Sequence, residues 1–326
     1  MNTDMRRLGL LLAVLLALSG EPARTEKPAY AEAQAGKLQL PAETQDGLQA
    51  IFRGEPGRAI EIARRIQQAH PEHPVGYLLE ANARWWTFYC EACEIKWNMV
   101  DAWKRVKLPT DEEYFKLADR AVQLAEGELK KKDTAEMHLY AGTSWALRAR
   151  LHGLRDDRMA LARTGVKART HFLRAIELDP NLADAYTGIG LYNYYADALS
   201  PFLKFLRWFM GIPGGSKKDG VRQLEMGMKG ELTGIEAQFY LSKCLRNYDL
   251  KYERAAGLMQ KLTERFPQNP IFHLLLGDML AKLGRNPQAA ASYRAAEKAA
   301  NDGNGSKCAA RIHRVVQQAL RAVTSD

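Results

Sequence analysis

Four small residues recur along the second half of the chain and constrain its fold more than any other feature. They are spaced by 52, 35 and 34 positions, and each is followed four positions later by a bulky apolar residue. The pairs are Ala168 and Phe172, Gly220 and Leu224, Ala255 and Met259, and Ala289 and Tyr293. A unit of about 34 residues with this pattern is typical of a helix–turn–helix repeat, whose small side chains allow paired helices to approach closely.

Prolines mark the ends of the predicted second helices. Pro180 and Pro267 each follow the small residue of their own unit by twelve positions, and Pro71 follows Ala59 at the same offset. Because proline cannot continue a helix, we expect each second helix to end just before it. The second helix of an N-terminal unit is therefore predicted at about residues 57–70.

The first helices of the units carry a large residue beside a small one, as in Ile189-Gly190 and Leu276-Gly277. With the spacing above, these pairs make residues 57–300 resemble the tetratricopeptide-repeat (TPR) superfamily, and in particular exported bacterial TPR proteins of undefined role. The resemblance implies an all-α, right-handed superhelical solenoid. It further implies that the first helices line a concave groove, and that the fold binds partners rather than catalysing a reaction.

Three regions depart from the repeat spacing. Ala168 lies about fourteen residues later than Gly142 and Trp145 predict, which indicates two helices lengthened by about two turns each. The region from Trp85 to Leu108 is also over-long, and the 52-residue spacing indicates an insertion at residues 198–215. An amphipathic stretch after residue 306 predicts a helix that caps the open end of the array.

The N-terminus has the zones of a secretory signal. Arg6 and Arg7 precede an apolar run that ends in small residues at about Ser19, and no cysteine sits at the expected cleavage site. We therefore divide the chain into a signal peptide (1–19), a flexible leader (20–46), a repeat array (47–305) and a capping helix with a tail (306–326). The mature protein is expected to be exported, soluble, and periplasmic or extracellular.

The chain carries 47 basic and 38 acidic residues, a formal net charge of +9. An excess of this size suits an acidic partner, anionic lipid or nucleic acid. The basic residues are scattered, however, and export argues against nucleic acid. We predict a protein or peptide partner.

The insertion is rich in aromatic residues, with Phe202, Phe205, Leu206 and Phe209 on one helical face and Trp208 beside them. The simplest interpretation is that this face packs inside the superhelix, because aromatic side chains left in water would form an aggregation-prone patch. The alternatives are a lid over the groove, a partner-binding helix, and a peripheral membrane contact through residues 200–212.

Cys90 and Cys93 form the only closely spaced cysteine pair, and Cys244 and Cys308 are distant. An oxidising compartment permits a local disulfide between Cys90 and Cys93, and two buried thiols are the other structural interpretation. A thiol–disulfide oxidoreductase using this pair is a less favoured function, because the preceding residues indicate a helix interior rather than a helix start. We expect no metal and no cofactor, because no ligand set accompanies the pair.

No residue pattern predicts catalysis, and we expect a non-catalytic scaffold that mediates protein–protein interaction in the bacterial cell envelope. Its concave face would bind the partner, with the insertion taking part. The alternative is a periplasmic small-ligand-binding transport accessory, in which the insertion closes a pocket over a solute. The predicted partner-binding residues are Asp184, Tyr194, Tyr195, Tyr240, Asp278, Lys282, Phe202, Phe205, Trp208 and Phe209.

Overall fold

The computed structural model describes residues 36–301 and 307–324. The predicted signal peptide and the first part of the leader, to residue 35, lie outside these residues. The end of the leader is attached to the body of the protein: the backbone N–H of Gly36 donates to the carbonyl of Asn181 at 2.5 Å. The N–H of Gln39 likewise donates to the Glu136 carboxylate at 3.0 Å.

Fourteen helices and one β-hairpin make up the regular structure of the described residues. The helices are α1 (Thr44–Arg53), α2 (Pro56–Ala69), α3 (Pro74–Glu91), α4 (Thr110–Leu129), α5 (Ala135–Leu154), α6 (Arg158–Leu178), α7 (Ala183–Ala198), α8 (Pro201–Phe209), α9 (Lys217–Gly227), α10 (Gly234–Asn247), α11 (Tyr252–Arg265), α12 (Pro270–Lys282), α13 (Asn286–Asn301) and α14 (Lys307–Thr324). The hairpin comprises β1 (Cys93–Lys96) and β2 (Met99–Ala102). None of the described helices combines the length and hydropathy that a transmembrane span requires.

The helices stack as consecutive pairs. The pairs are α1/α2, α3/α4, α5/α6, α7/α9, α10/α11 and α12/α13, and each second helix also packs against the first helix of the next pair. Helix α8 lies in the connection between α7 and α9, which is the predicted insertion. This arrangement confirms the all-α helical-repeat solenoid.

Small residues mediate the close approach of neighbouring helices, both within a pair and between successive pairs. A Cβ atom on Gly188 of α7 would lie 2.0 Å from the ring of Phe172, and one on Gly277 of α12 would lie 2.6 Å from the ring of Tyr293. The bulky residue of a second helix thus packs directly on a glycine of a first helix. The recurring small residues predicted from the sequence are all buried.

The structure also contains helices of unusual length where the spacing predicted them. Helices α5 and α6 have 20 and 21 residues, while the repeat helices α10, α11 and α12 have 13 or 14. The extra two turns account for the late position of Ala168.

The hairpin corrects the expectation of a purely helical array. Antiparallel strands β1 and β2 pair Ile95 with Val100, and the two residues between the strands, Trp97 and Asn98, both have positive φ angles (50° and 56°). Two consecutive residues of this kind form a type I′ turn, whose twist matches that of paired strands. The over-long region from Trp85 to Leu108 is therefore an insertion with strands rather than a lengthened helix.

Helix α14 caps the array as predicted, burying Ile312, Val315 and Val316. It covers α13, and it also contacts α3 and β1 from the beginning of the chain. Helix α14, the last element of the solenoid, therefore contacts elements near its beginning.

Aromatic contacts show that the solenoid closes on itself. The ring of Trp86 on α3 lies 4.8 Å from that of Phe239 on α10 and 5.8 Å from that of Phe272 on α12. The amide of Asn269 donates to the carbonyl of Phe52 at 2.9 Å across 217 residues. First helices of early and late pairs thus share one core, and the concave side is filled instead of forming an open groove.

Candidate functional site

A buried cluster of charged side chains occupies the centre of the filled concave side. Asp101 of β2 accepts hydrogen bonds from Lys243 Nζ at 2.7 Å, Arg246 at 3.3 Å and the hydroxyl of Tyr89 at 2.7 Å. Arg246 also donates to Asp278 of α12 at 3.2 Å, and its side chain is 1% exposed. The hairpin is therefore held against α10 by ion pairs inside the protein.

Electrostatics keep Asp101 ionised. Burial would raise its pKa, but the charges of Lys243 and Arg246 outweigh burial and hold the pKa well below its usual range. Each positive charge has a carboxylate partner, so the cluster is internally compensated. It stabilises the closed solenoid.

Four of the predicted groove residues lie in this interior. Tyr240 and Asp278 are buried, and Tyr194 donates its hydroxyl hydrogen bond to the carbonyl of Cys244 at 2.9 Å. Asp184 accepts hydrogen bonds from the backbone N–H groups of Leu232 and Thr233, joining α7 to the turn before α10. They occupy the inward positions that the resemblance implied, but the inward side is a core, so these side chains are not accessible to a partner.

The other two predicted residues of the first helices, Tyr195 and Lys282, are exposed. The ring of Tyr195 packs against that of Tyr248 at 5.8 Å and is 37% exposed, at the C-terminal end of α7. Partner binding by Tyr195 and Lys282 stays a prediction.

The cysteine pairing differs from the expected local bridge. Cys90 forms a disulfide with Cys308 across 218 residues, while Cys93 and Cys244 are buried free thiols. A bridge between Cys90 and Cys93 does not form because Cys90 ends α3 and faces α14, whereas Cys93 begins β1. No sequence pattern predicts this pairing, since Cys308 is isolated in the chain.

The buried thiols are poor nucleophiles. Burial raises the pKa of Cys93 to about 12, aided by the nearby negative charge of Asp101, and burial likewise raises the pKa of Cys244 to about 12. A redox-active pair needs a thiolate near neutral pH. The environment of Cys93 thus does not support a thiol–disulfide oxidoreductase.

Helix α8 is the remaining candidate, and its sequence explains why it forms. The hydroxyl of Ser200 accepts a hydrogen bond from the N–H of Leu203, and Pro201 occupies the first turn. Gly211 ends the helix with a positive φ of 66°, and the N–H of Ile212 donates to the carbonyl of Arg207. The insertion therefore contains its own N-terminal and C-terminal helix-capping residues.

The polar side of α8 is anchored to the body. Lys204 Nζ donates to Asp197 at 2.7 Å, and the other oxygen of Asp197 accepts from the N–H of Lys217 at 2.9 Å. Arg207 donates to the carbonyl of Pro213 at 2.8 Å, as does the hydroxyl of Tyr192. These contacts fix α8 to the ends of α7 and α9.

The apolar side of α8 is in solvent, and none of its residues is buried. We call this side the aromatic face; its members are 40–75% exposed and comprise Phe202, Phe205, Leu206, Trp208, Phe209 and Met210. The expectation that the segment packs inside the superhelix is wrong. An exposed apolar patch of this kind commonly marks an interaction site.

Close packing of the neighbouring helices explains why α8 lies outside. A Cβ atom on Gly220 of α9 would lie 2.8 Å from the carbonyl oxygen of Gly190, and one on Gly215 would lie 2.3 Å from that of Asn193. Helices α7 and α9 thus meet without space for a third helix between them. The insertion has to run over the surface.

The cavities of the described residues do not favour a small-ligand site under α8. A pocket of about 20 Å³, the volume of one water, lies among α1, α3, α5 and α10. A surface depression of about 340 Å³ lies at the turn from α2 to α3, lined by His70, His73 and Glu128 among others. Neither is covered by the insertion, and the described residues hold no cluster suited to a metal ion.

Comparison with known proteins agrees with the repeat architecture. Residues 248–304, which contain α11, α12 and α13, match the family model of the tetratricopeptide repeat. This segment is therefore similar to the tetratricopeptide-repeat (TPR) family, whose repeats serve in general as protein-interaction scaffolds.

Two solved structures are similar to the chain. One is the C-terminal part of a TPR repeat-containing protein from Cytophaga hutchinsonii, with 13% identity, a TM-score of 0.37, and coverage of 87% of this chain and 96% of that one. The other is the TPR2AB domain of yeast Sti1 in its pHSP90 complex, with 13% identity, a TM-score of 0.29, and coverage of 86% and 97%. No curated protein matches the sequence.

Proposed function

We propose that this protein is a non-catalytic interaction scaffold of the bacterial cell envelope, a closed body of TPR-like helix pairs that docks through α8. The observation that carries the proposal is the exposed aromatic face, held on a body with an extensive buried core. The secretory pattern of residues 1–19 supports the location.

The partner binds the outer surface around α8 in this proposal, and not the concave face. The concave side is filled by α3, the hairpin and the Asp101 cluster, so a partner would have to displace buried ion pairs to enter. The end of the body beside α8 offers Tyr195, Tyr248 and Leu250, which are 37–61% exposed. Aromatic side chains at such positions suit contact with a protein partner.

Cross-linking in intact bacteria followed by fractionation tests this function. We expect the protein to form adducts with another protein and to remain with the envelope fraction. The variant Phe205→Ser/Trp208→Ser should move to the soluble fraction while keeping its helix content, because both side chains are already exposed.

Trp97→Ser is the matched control, since Trp97 is also exposed but lies at the hairpin turn. This variant should remain with the envelope fraction. Absence of adducts with the unaltered protein, or equal behaviour of the two variants, would contradict the proposal.

A further inference from the structure

We propose that the aromatic face docks the protein on an anionic lipid surface, with α8 lying flat at the boundary between headgroups and acyl chains. The inference rests on the proposed function, because it names what the docking helix binds. Its occupant is a bilayer surface carrying acidic headgroups.

The shape of α8 suits a lipid interface. The helix has nine residues, too few to cross a bilayer of about 30 Å, and its aromatic face is exposed. Phenylalanine and tryptophan on one side of a short, exposed helix are typical of segments that lie in the interface plane. An exposed apolar face needs no complementary pocket to be buried there.

The charge around α8 is complementary to acidic headgroups. Residues 198–218 contain Lys204, Arg207, Lys217 and Lys218 and no acidic residue. The neighbouring carboxylates of Asp197 and Asp249 are each paired with one of these lysines, at 2.7 and 3.0 Å. Lys218 is exposed, and among the described residues the side chain of Arg207 donates to the carbonyl of Pro213.

The hydrogen bonding of α8 favours lipid over a protein groove. Protein interfaces surround their apolar centre with a polar rim that makes about one hydrogen bond per 100–200 Å². On α8 the polar groups of Ser200, Lys204 and Arg207 are engaged with the protein's own backbone or with Asp197. Residues 198–218 thus offer apolar area on the aromatic face and positive charge outside it, the two contributions that bind a helix to an acidic bilayer.

Vesicle flotation tests the inference. The protein is purified from the envelope of the producing cells and mixed with vesicles of phosphatidylcholine alone or with one quarter phosphatidylglycerol. We expect flotation with the acidic vesicles, weaker flotation with the neutral ones, and a blue shift of tryptophan fluorescence on binding. Phe205→Ser/Trp208→Ser should lower the bound fraction roughly tenfold or more, because two large apolar groups no longer leave water.

Two further variants separate the contribution of the aromatic face to vesicle binding from that of positive charge. Trp97→Ser should bind as the unaltered protein does. Lys218→Gln should bind more weakly and with a smaller dependence on salt, because one positive charge near the surface is lost. Circular dichroism of every variant checks that the helices are intact.

Comparing vesicle flotation with envelope retention distinguishes failure of the lipid inference from failure of the proposed function. If the unaltered protein does not float with acidic vesicles but its envelope retention still depends on Phe205 and Trp208, α8 binds a protein and the lipid inference fails. Equal flotation of the unaltered protein and Phe205→Ser/Trp208→Ser would also overturn it. If neither flotation nor retention depends on α8, the proposed docking function fails as well.

Discussion

At the scale of single residues, the closed core depends on Asp101. Replacing it by asparagine removes the carboxylate that pairs with buried Lys243 and leaves Arg246 paired with Asp278, and breaking such a buried pair costs about 3–5 kcal/mol. We expect the free energy of unfolding in urea to fall by about that amount. Glu112→Gln, which removes an exposed ion pair with Lys116, should cause no measurable change. Equal stability of the two variants would contradict the role assigned to Asp101.

Half-buried histidines predict a pH dependence of stability. Burial lowers the pKa of His73, His152, His171 and His273, so the unfolded chain binds protons more readily than the folded one. The free energy of unfolding should therefore fall as the pH drops from about 7.5 to about 5.5, the range around the ordinary histidine pKa. His171→Asn removes one of these groups and should make the decline shallower in urea titrations. An unchanged or steeper decline would show that His171 does not contribute.

At the scale of helices, substitution by alanine should have opposite effects on stability at two helical glycines, one packed against a neighbouring helix and one not. Gly220→Ala places a Cβ atom 2.8 Å from backbone atoms of α7 and should destabilise the protein by about 1–3 kcal/mol. Gly257→Ala, in the interior of α11 with no atom within 4 Å of the new Cβ, should stabilise it by roughly 0.5–1 kcal/mol. Thermal unfolding of the two variants measures both effects. Destabilisation by Gly257→Ala would contradict the packing described for α11.

The helices could be predicted from the sequence because their signals are local. Small residues at a fixed spacing, and prolines such as Pro180 and Pro267, mark the pairs within about 34 residues. The exposure of α8 could not be predicted in this way. An amphipathic pattern shows that Phe202 and Phe209 share a face, but it does not show whether another part of the chain covers that face.

Closure of the solenoid could not be predicted either, because its contacts are distant in sequence. Asp101 and Arg246 are 145 residues apart, and Cys90 and Cys308 are 218 apart. The signal that the sequence did contain was the excess length between Trp85 and Leu108. That excess holds the hairpin which carries Asp101 into the interior.

At the scale of the whole molecule, the disulfide joins early and late elements of the solenoid. Cys308→Ser should lower the free energy of unfolding by about 5 kcal/mol in the chain-entropy description of a long closed loop. Reductant should destabilise the unaltered protein in urea by a similar amount and leave the variant unchanged. Peptide mapping that found Cys90 joined to Cys93, or a variant as stable as the unaltered protein, would contradict the closure.

Oxidative footprinting by mass spectrometry tests the central claim most directly, because it reports side-chain exposure along the entire chain at once. A closed body with an outward-facing α8 predicts rapid modification of Trp208 and Phe209, which are 72% and 75% exposed, and protection of Trp85 and Trp86, which are 6% and 4% exposed. Protection of Trp208 together with rapid modification of Trp86 would describe an open groove with α8 packed inside it, and would contradict the account.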